Sequence, residues 1–512
     1  MTAQYLLAHD LGTTGNKATL YSSEGVLVSS DFYAYNTFYP RPNWAEQNPN
    51  DWWEATCVST QRLLQKSKVA PDQIAVVSFS GQMMGAVMVD SAGTPLRDCI
   101  IWADMRSEKQ AADLATRVSD QDVYHITGNP ISPSYTIEKV MWIRDHQPEI
   151  FKQTHKFLHA KDYIVHKLTG KFTTDYSDAS GTNAFDLVQQ AWSPQLVEAT
   201  GLPFEIFPDV HPSIAVVGEV TSAASQEVGL RPGTPVVIGA ADGCCAAVGA
   251  GVVREGSAYN YIGSSSWIAL ATPEPLIDPK QRTVTFCHVD PAMMMPIGTM
   301  QCAGGAYQWF KEEIGRIETL AAQEAGISPY EILNLKAAST VPGSHNLIFL
   351  PYLLGERTPY WNPNARGAFI GLTRGHTRED LTRAILEGAV FGLRTMIDTF
   401  VEQGVAIDEV RVIGGTARGR LFCQIQADVF ARNILRTKLL EEATSLGAAI
   451  AGGIGVGIFK DFLVAEELVK IAEVFAPRPE HLNHYARLYE IFTDCYHALV
   501  PVYEKLATLD GT

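Results

Sequence analysis

Positive charge is scarce in this 512-residue sequence: 40 Lys and Arg stand against 56 Asp and Glu, a net charge of −16. No Lys/Arg-rich run offsets that balance, which makes nucleic acid and anionic membrane surfaces poor partners. No window of about 18 uncharged apolar residues occurs, so no membrane span is expected. No charged leader with an apolar core precedes the first strand-like segment, so no signal peptide is expected. The eight cysteines form no CxxC pair, which speaks against zinc and thioredoxin-like sites. Reduced thiols and a cytoplasmic enzyme fit that usage. GxxxxGK[ST] is absent, which excludes a Walker-type phosphate loop. HExxH is absent as well, and His155 and His159, spaced four apart as on a helix, are read as surface histidines rather than metal ligands. Gly453-Ile454-Gly455-Val456-Gly457 lacks GxGxxG spacing and is read as close helix packing or a turn.

What is present is ordinary globular composition, 46% apolar and 19% charged, on a chain too long for one core. Apolar runs of strand length alternate with amphipathic helices, which predicts an α/β fold of two or more domains. Strands are predicted at 74–80, 86–90, 236–240 and 409–413, and helices at 244–251 and from about Arg418. Leu381, Ala384, Ile385, Gly388 and Phe391 mark one face of a long helix. Asp51-Trp52-Trp53-Glu54 reads as a capping box. Arg254-Glu255-Gly256 reads as a domain junction, and no low-complexity linker separates the two halves.

The most informative stretch is His9-Asp10-Leu11-Gly12-Thr13-Thr14-Gly15. It joins a strand at 5–9 to a second at 17–21 through an acid and a Gly/Thr turn. Backbone N–H groups of such a turn can converge on an anion, and a carboxylate at the strand end can hold the Mg²⁺ that accompanies phosphates. An ordinary hairpin turn is the alternative. The unit recurs as strand 258–262, the turn Gly263-Ser264-Ser265-Ser266 and strand 267–270, which suggests an internal duplication. A third glycine turn, Gly414-Gly415, lets backbone approach a flat ring or ribose. Three such turns in this order favour a nucleotide. Asp242 stands between a strand and a helix, where a carboxylate either caps the helix or accepts a substrate proton. Gln82, Trp102, Asp104 and Arg106 follow strand-like segments, either as contacts for a polyol or as a surface loop with an ion pair. The residues alone thus point to a two-domain phosphotransferase acting on a small polar molecule.

At these positions the chain resembles the FGGY carbohydrate kinases of the actin/hexokinase-like ATPase superfamily. Ser134-Tyr135-Thr136-Ile137-Glu138-Lys139-Val140-Met141-Trp142-Ile143 is similar to one family signature. Gly367-Ala368-Phe369-Ile370-Gly371-Leu372, continuing through Asp380-Leu381 to Glu387, is similar to the second, and Pro351 through Pro359 to a further family segment. The resemblance implies two actin-like, ribonuclease H-like domains, 1–253 and 254–512, with ATP between them. It assigns Gly12, Thr13 and Thr14 to the first phosphate loop, Gly263, Ser264 and Ser265 to the second, and Gly414 and Gly415 to the adenosine motif. It makes Asp10 the Mg²⁺-associated acid and Asp242 the base, and it suggests a homodimer. Gly81-Gln82-Met83-Met84-Gly85, with Trp102, Asp104 and Arg106, is most similar to the xylulose-phosphorylating branch. Met84 replaces that branch's sugar-binding His, and Gly243 replaces its Asn beside the base. Both changes remove hydrogen-bond partners of a sugar hydroxyl. The resemblance therefore implies phosphorylation of a small sugar, first of all xylulose, with erythritol, gluconate, ribulose or L-xylulose as alternatives.

Overall fold

The computed structural model describes residues 4–509. The chain forms two compact units. Unit 1 takes the chain up to Val253 together with 271–296 and 442–469, and unit 2 takes 254–270, 297–441 and the chain from Lys470 onward. The single cut expected after residue 253 is thus only the first of several crossings. Sequence reading misses the later ones because 271–296 and 442–469 carry no linker composition.

Unit 1 is built on β1 (Tyr5–Leu11), β2 (Gly15–Ser22), β3 (Leu27–Ala34), β4 (Ile74–Gly81), β5 (Val216–Glu219), β6 (Pro235–Val237) and β7 (Ala240–Ala241). The order is β5-β6-β4-β1-β2-β3, with β7 also paired to β4. β1 is antiparallel to β2 and parallel to β4. Leu6, Leu7, Ala8 and His9 are all buried, as a central strand covered on both faces requires. His9 meets Asn16 at 3.0 Å and Thr60 at 3.2 Å, and burial lowers its pKa to about 4, so it is a neutral core histidine. The helix Ala443–Gly455 reaches this sheet through glycines: a Cβ on Gly452 would lie 2.9 Å from Ser78 Cβ, and one on Gly453 would lie 3.4 Å from Leu6 Cδ1. The glycine run is both readings at once: Gly453 and Gly455 pack closely in the helix, and Gly457, at φ +74°, sits in the turn that follows.

Unit 2 repeats the scheme. β8 (Ser257–Ile262) is antiparallel to β9 (Ser266–Leu270) and parallel to a strand far along the chain, Glu409–Ile413. With β10 (Met294–Met300, of which 297–300 belong to this unit), β11 (Glu409–Ile413), β12 (Asn433–Thr437) and β13 (Ile471–Phe475), the order runs β10-β9-β8-β11-β12-β13. The long helix Arg378–Glu402 opens on a Thr377/Asp380 capping box. Among the described residues no helix is long and apolar enough to cross a membrane.

Several local expectations need correction. The capping box proposed at 51–54 is absent: the helix Pro49–Ser67 starts earlier and is capped by Asn48, whose side chain accepts from Asn50 N–H. The strand expected at 236–240 is broken at Gly239, where φ is +72° and a Cβ would lie 1.8 Å from Phe79 O. His155 and His159 do not share a helix, because Lys156–Leu158 between them is a strand. His159 is buried rather than at the surface.

Candidate active site

In unit 1 the carboxyl ends of β1, β4 and β7 come together, since Leu11 and Ala241 both pair in parallel with Gly81. Ligands bind at such strand ends in α/β folds. Asp10, Gln82 and Asp242 all stand there. Asp10 Oδ1 accepts from Ser80 Oγ at 3.1 Å, and burial raises its carboxyl above the ordinary range.

The turn Gly12-Thr13-Thr14 follows Asp10. Gly12 N–H donates to Gly15 O at 3.0 Å. Its carbonyls are held by protein donors: Gly12 O by the Tyr35 hydroxyl at 2.5 Å, Thr13 O by Gln47 Nε2 at 2.7 Å, and Thr14 O by Tyr35 N at 3.2 Å. In a trans peptide the N–H points opposite to the carbonyl, so anchoring the carbonyls aims N–H groups away from the protein. That is the arrangement an anion uses.

Asp242 is the first residue of the helix Asp242–Gly249, and the cap position is Ala241, which has no side chain to cap with. The helix-cap alternative is therefore not what the structure shows. Asp242 Oδ1 accepts from Gly243 N at 2.7 Å. Burial, then the charges of Asp10 and Asp178, push its carboxyl up to about 7. A carboxylate poised there can take a proton near neutral pH. Gly243, buried behind it, offers no side chain to a ligand.

Buried polar groups hold Asp242 in place. Ala241 N donates to Ser177 Oγ at 2.8 Å, and Ser177 Oγ donates to Asp175 Oδ2 at 2.6 Å. Lys161 Nζ lies 2.7, 2.8 and 3.0 Å from Asp162, Asp175 and Asp178. His159 joins through Asp162 at 3.0 Å. His159, Asp162 and Asp178 also have the spacing of a metal cluster, but the Lys161 ammonium already lies among the two carboxylates.

The expected acceptor residues are placed unequally. Gln82 is buried; its N–H donates to Leu11 O at 2.9 Å and its Nε2 to Gln47 Oε1 at 2.7 Å, while its Oε1 has no hydrogen-bond partner. Trp102 is 41% exposed, and its Nε1 donates to Thr13 Oγ1 at 3.0 Å. Met84 has φ +63°, and its carbonyl accepts from the buried Lys139 at 3.1 Å. Met83 packs on Gly181, where a Cβ would lie 2.8 Å from Met83 Cε. Asp104 and Arg106 engage each other at 2.6 Å; Asp104 also accepts from Ala45 N, and Arg106 stacks 3.7 Å over Trp44. Their charged ends are thereby committed to protein groups.

Unit 2 carries a cavity of about 650 Å³ lined by Gly263, Ser264, Tyr307, Asn334, Gly415 and Thr416, among others. It opens at the carboxyl ends of β8 and β11, where Tyr261 pairs with Ile413. Gly414 has φ +91°, and a Cβ there would lie 2.7 Å from Ile262 O. Gly415 has open space around its missing Cβ. The turn is locked by Gly263 N donating to Ser265 O at 3.0 Å, and by Ala303 N and Gly305 N donating to Ser264 O at 2.9 Å each. The Tyr307 hydroxyl donates to Asn334 Oδ1 at 3.0 Å.

The N-terminal domain profile of the FGGY family of carbohydrate kinases matches residues 5–249, and its C-terminal domain profile matches 258–456. The chain belongs to that family. A xylulose kinase from Staphylococcus epidermidis is 33% identical over 99% of this chain and 100% of its own length. A gluconokinase from Bacillus licheniformis is 32% identical over 98% of each chain. The crystal structure of xylulose kinase from Rhodospirillum rubrum superposes with a TM-score of 0.90 at 29% identity, covering 98% of this chain and all of that one. The FGGY kinase described here is therefore a sugar kinase with the expected two-domain α/β fold, and ATP is the phosphoryl donor its family implies.

Residues of this FGGY kinase that sequence reading did not single out include Gln47, Lys161, Asp175 and Ser177 in unit 1, and Tyr307, Asn334 and Thr416 in unit 2. None belongs to a spaced motif. A buried Lys within 17 residues of three Asp was the one available signal, and it is indistinguishable from surface charge until burial is known.

Proposed function

We propose that the chain is an ATP-dependent ketose kinase that phosphorylates a small neutral sugar of the ketopentose class, with xylulose foremost. Asp242 accepts the proton of the acceptor hydroxyl, the freed oxygen attacks the γ-phosphorus in line, and ADP leaves with the electron pair of the broken P–O bond. Thr13 and Thr14 in unit 1, and Ser264 and Ser265 in unit 2, supply phosphate donors, and the unit 2 cavity takes the nucleoside. Tyr307 and the open backbone of Gly415 suit a flat ring. Asp10 fits a hard divalent cation, because its carboxyl is a hard oxygen donor at the strand end beside Asp242. Mg²⁺ bound with the nucleotide would neutralise phosphate charge.

The observation that carries the reading is the convergence of Asp10, Gln82 and Asp242 at three parallel strand ends. There Gln82 keeps one buried acceptor atom open for a ligand hydroxyl. A neutral acceptor is favoured because the charges of Asp10 and Asp178 already oppose the ionisation of Asp242. The buried cations Lys139, Lys161 and Arg106 are engaged by protein oxygens. The gluconokinase relative supports a sugar-acid kinase as the second reading. ADP release with MgATP is the test, against D-xylulose, L-xylulose, D-ribulose, erythritol, gluconate and glycerol. A ketopentose with the highest kcat/KM supports the proposal. Preference for gluconate moves the function to the second reading, and absence of any acceptor-dependent ADP overturns both.

A further inference from the structure

Gln47 belongs neither to the phosphate turn nor to the acceptor residues, yet its side chain touches both. It is completely buried. Its Nε2 donates to Thr13 O and to Thr37 Oγ1, each at 2.7 Å. Its Oε1 accepts from Gln82 Nε2 at 2.7 Å and from Trp52 Nε1 at 3.1 Å. One primary amide has two donor hydrogens and two acceptor lone pairs, so every hydrogen-bonding position of Gln47 is used. Its orientation is fixed from both sides, and it cannot turn over without breaking all four bonds.

The consequence runs through the peptide joining Thr13 to Thr14. With Thr13 O held by Gln47, planarity aims the Thr14 N–H in the opposite direction, away from Gln47. That N–H is a donor of the phosphate turn. At the other end of the chain of bonds, Gln82 Oε1 is buried and lacks a partner. A ligand hydroxyl that donates to it fixes the Gln82 amide plane and strengthens the Gln82–Gln47 bond, since linked hydrogen bonds polarise one another. A second link reaches the same turn, because the exposed Trp102 ring holds Thr13 Oγ1 through its indole N–H. Both links join a residue placed to meet the acceptor with the residue at the centre of the phosphate turn.

We propose that Gln47 is a positioning residue that couples acceptor binding to phosphate binding, holding the Thr13–Thr14 peptide for the nucleotide more firmly when Gln82 is engaged by an acceptor hydroxyl. The inference rests on the assignment of Gln82 to the acceptor and of Thr13 and Thr14 to the phosphates. It predicts positive cooperativity between two ligands. By linkage each ligand must tighten the other by the same factor.

The test measures the Kd of the full-length protein for the magnesium complex of a non-hydrolysable ATP analogue (AMP-PNP), with and without the best acceptor of the six-compound panel. The reciprocal measurement takes the Kd of that acceptor with and without AMP-PNP. In the unsubstituted protein each ligand is expected to tighten the other by about 10-fold. Gln47→Glu keeps the two acceptor positions facing Trp52 and Gln82, but replaces the donor to Thr13 O with an oxygen. It should reduce the coupling factor to below about 2-fold in both directions, with the acceptor affinity measured alone nearly unchanged. Trp102→Phe keeps an aromatic face and removes only the indole donor, and should reduce the factor to about 3-fold. Thermal unfolding reports folding of both variants, and if Gln47→Glu does not fold, Trp102→Phe decides. An unsubstituted protein with no coupling overturns the proposal, as does full coupling in folded Gln47→Glu or, failing that variant, in Trp102→Phe. If no panel compound supports ADP release, the underlying kinase reading fails instead, and that result is visible before any variant is made.

Discussion

Gly304 offers a steric test of the nucleotide side. A Cβ on Gly304 would lie 2.3 Å from Gly263 O and 2.9 Å from Thr416 Oγ1. It would thus strike two of the segments that line the unit 2 cavity at once. Two effects of Gly304→Ala compete. Gly304 opens the helix Gly304–Glu313, and alanine is favoured over glycine in helices by about 1 kcal/mol. Against this, the new methyl falls about 1 Å short of an ordinary contact with a backbone carbonyl, and overpacking of that kind costs about 1–3 kcal/mol. The carbonyl cannot rotate aside like a flexible side chain, and Gly304 N–H donates to that same oxygen at 3.1 Å. The clash therefore wins, and it is relieved by moving the Gly263-Ser264 turn by about 1 Å. A displacement of that size in a positioning element can cost about 100-fold in catalysis. The expected result is a KM for ATP raised roughly 10- to 100-fold, with the KM for the acceptor changed by less than about 2-fold. Steady-state kinetics with each substrate varied at saturation of the other measures both, with thermal unfolding as the check on folding. A folded Gly304→Ala protein with an unaltered KM for ATP would refute the reasoning, because it would mean that the second glycine turn does not contact the nucleotide.

Other outcomes are equally specific. Asp242→Asn should lower kcat by about 10²- to 10⁴-fold while AMP-PNP still binds, as measured by ADP release and titration calorimetry. Because the Asp242 carboxyl is raised to about 7 and must be ionised to accept a proton, kcat/KM should fall as the pH drops below about 7; a profile flat from pH 5 to 8 would count against its role. Met84→His combined with Gly243→Asn should raise kcat/KM for D-xylulose if those two positions limit its use, and an unchanged or lower value would dismiss that account. Gly447→Ala should destabilise unit 1 by about 1–3 kcal/mol in denaturant unfolding, because its Cβ would lie 1.9 Å from Cys245 O in the helix that carries Asp242.

The local frame was legible in the sequence because it is written in short periods. The strand–turn–strand units at 5–22 and 257–270 are contiguous and turn on glycines, and the residues that dictate them lie within a few positions of one another. The family signatures are local in the same sense. What could not be read depends on contacts between distant segments. The residues around Asp242 leave a helix cap open beside a proton acceptor, and the family resemblance favours the acceptor; the placement of Ala241 at the cap position is what removes the cap. His159 looked like a surface residue because its spacing from His155 fits a helix, and only burial against Asp162 and Thr136 reveals it as a network member. Asp104 and Arg106 were legible as an ion pair, but their full engagement with each other and with the 44–46 segment was not.

The two units hold their site residues by different physical means, and that difference predicts how each should fail. In unit 1 Asp242 and the Gly12-Thr13-Thr14 turn hang on buried polar bonds: Ala241 on Ser177, Ser177 on Asp175, Asp175 on Lys161, and Thr13 on Gln47. Removing one partner strands a buried donor or acceptor, which costs more than the bond contributed. In unit 2 the turns are held by backbone contacts made possible by glycine, with Gly304 against Gly263 and Gly414 against Ile262. There the sensitive quantity is volume rather than charge. Isosteric polar substitutions around Asp242 and Thr13 should therefore disable the unit 1 residues while leaving the unit 2 turns unaffected, whereas a methyl added at Gly304 should do the reverse. Acceptor chemistry and nucleotide affinity become separable by the kind of substitution as well as by its position.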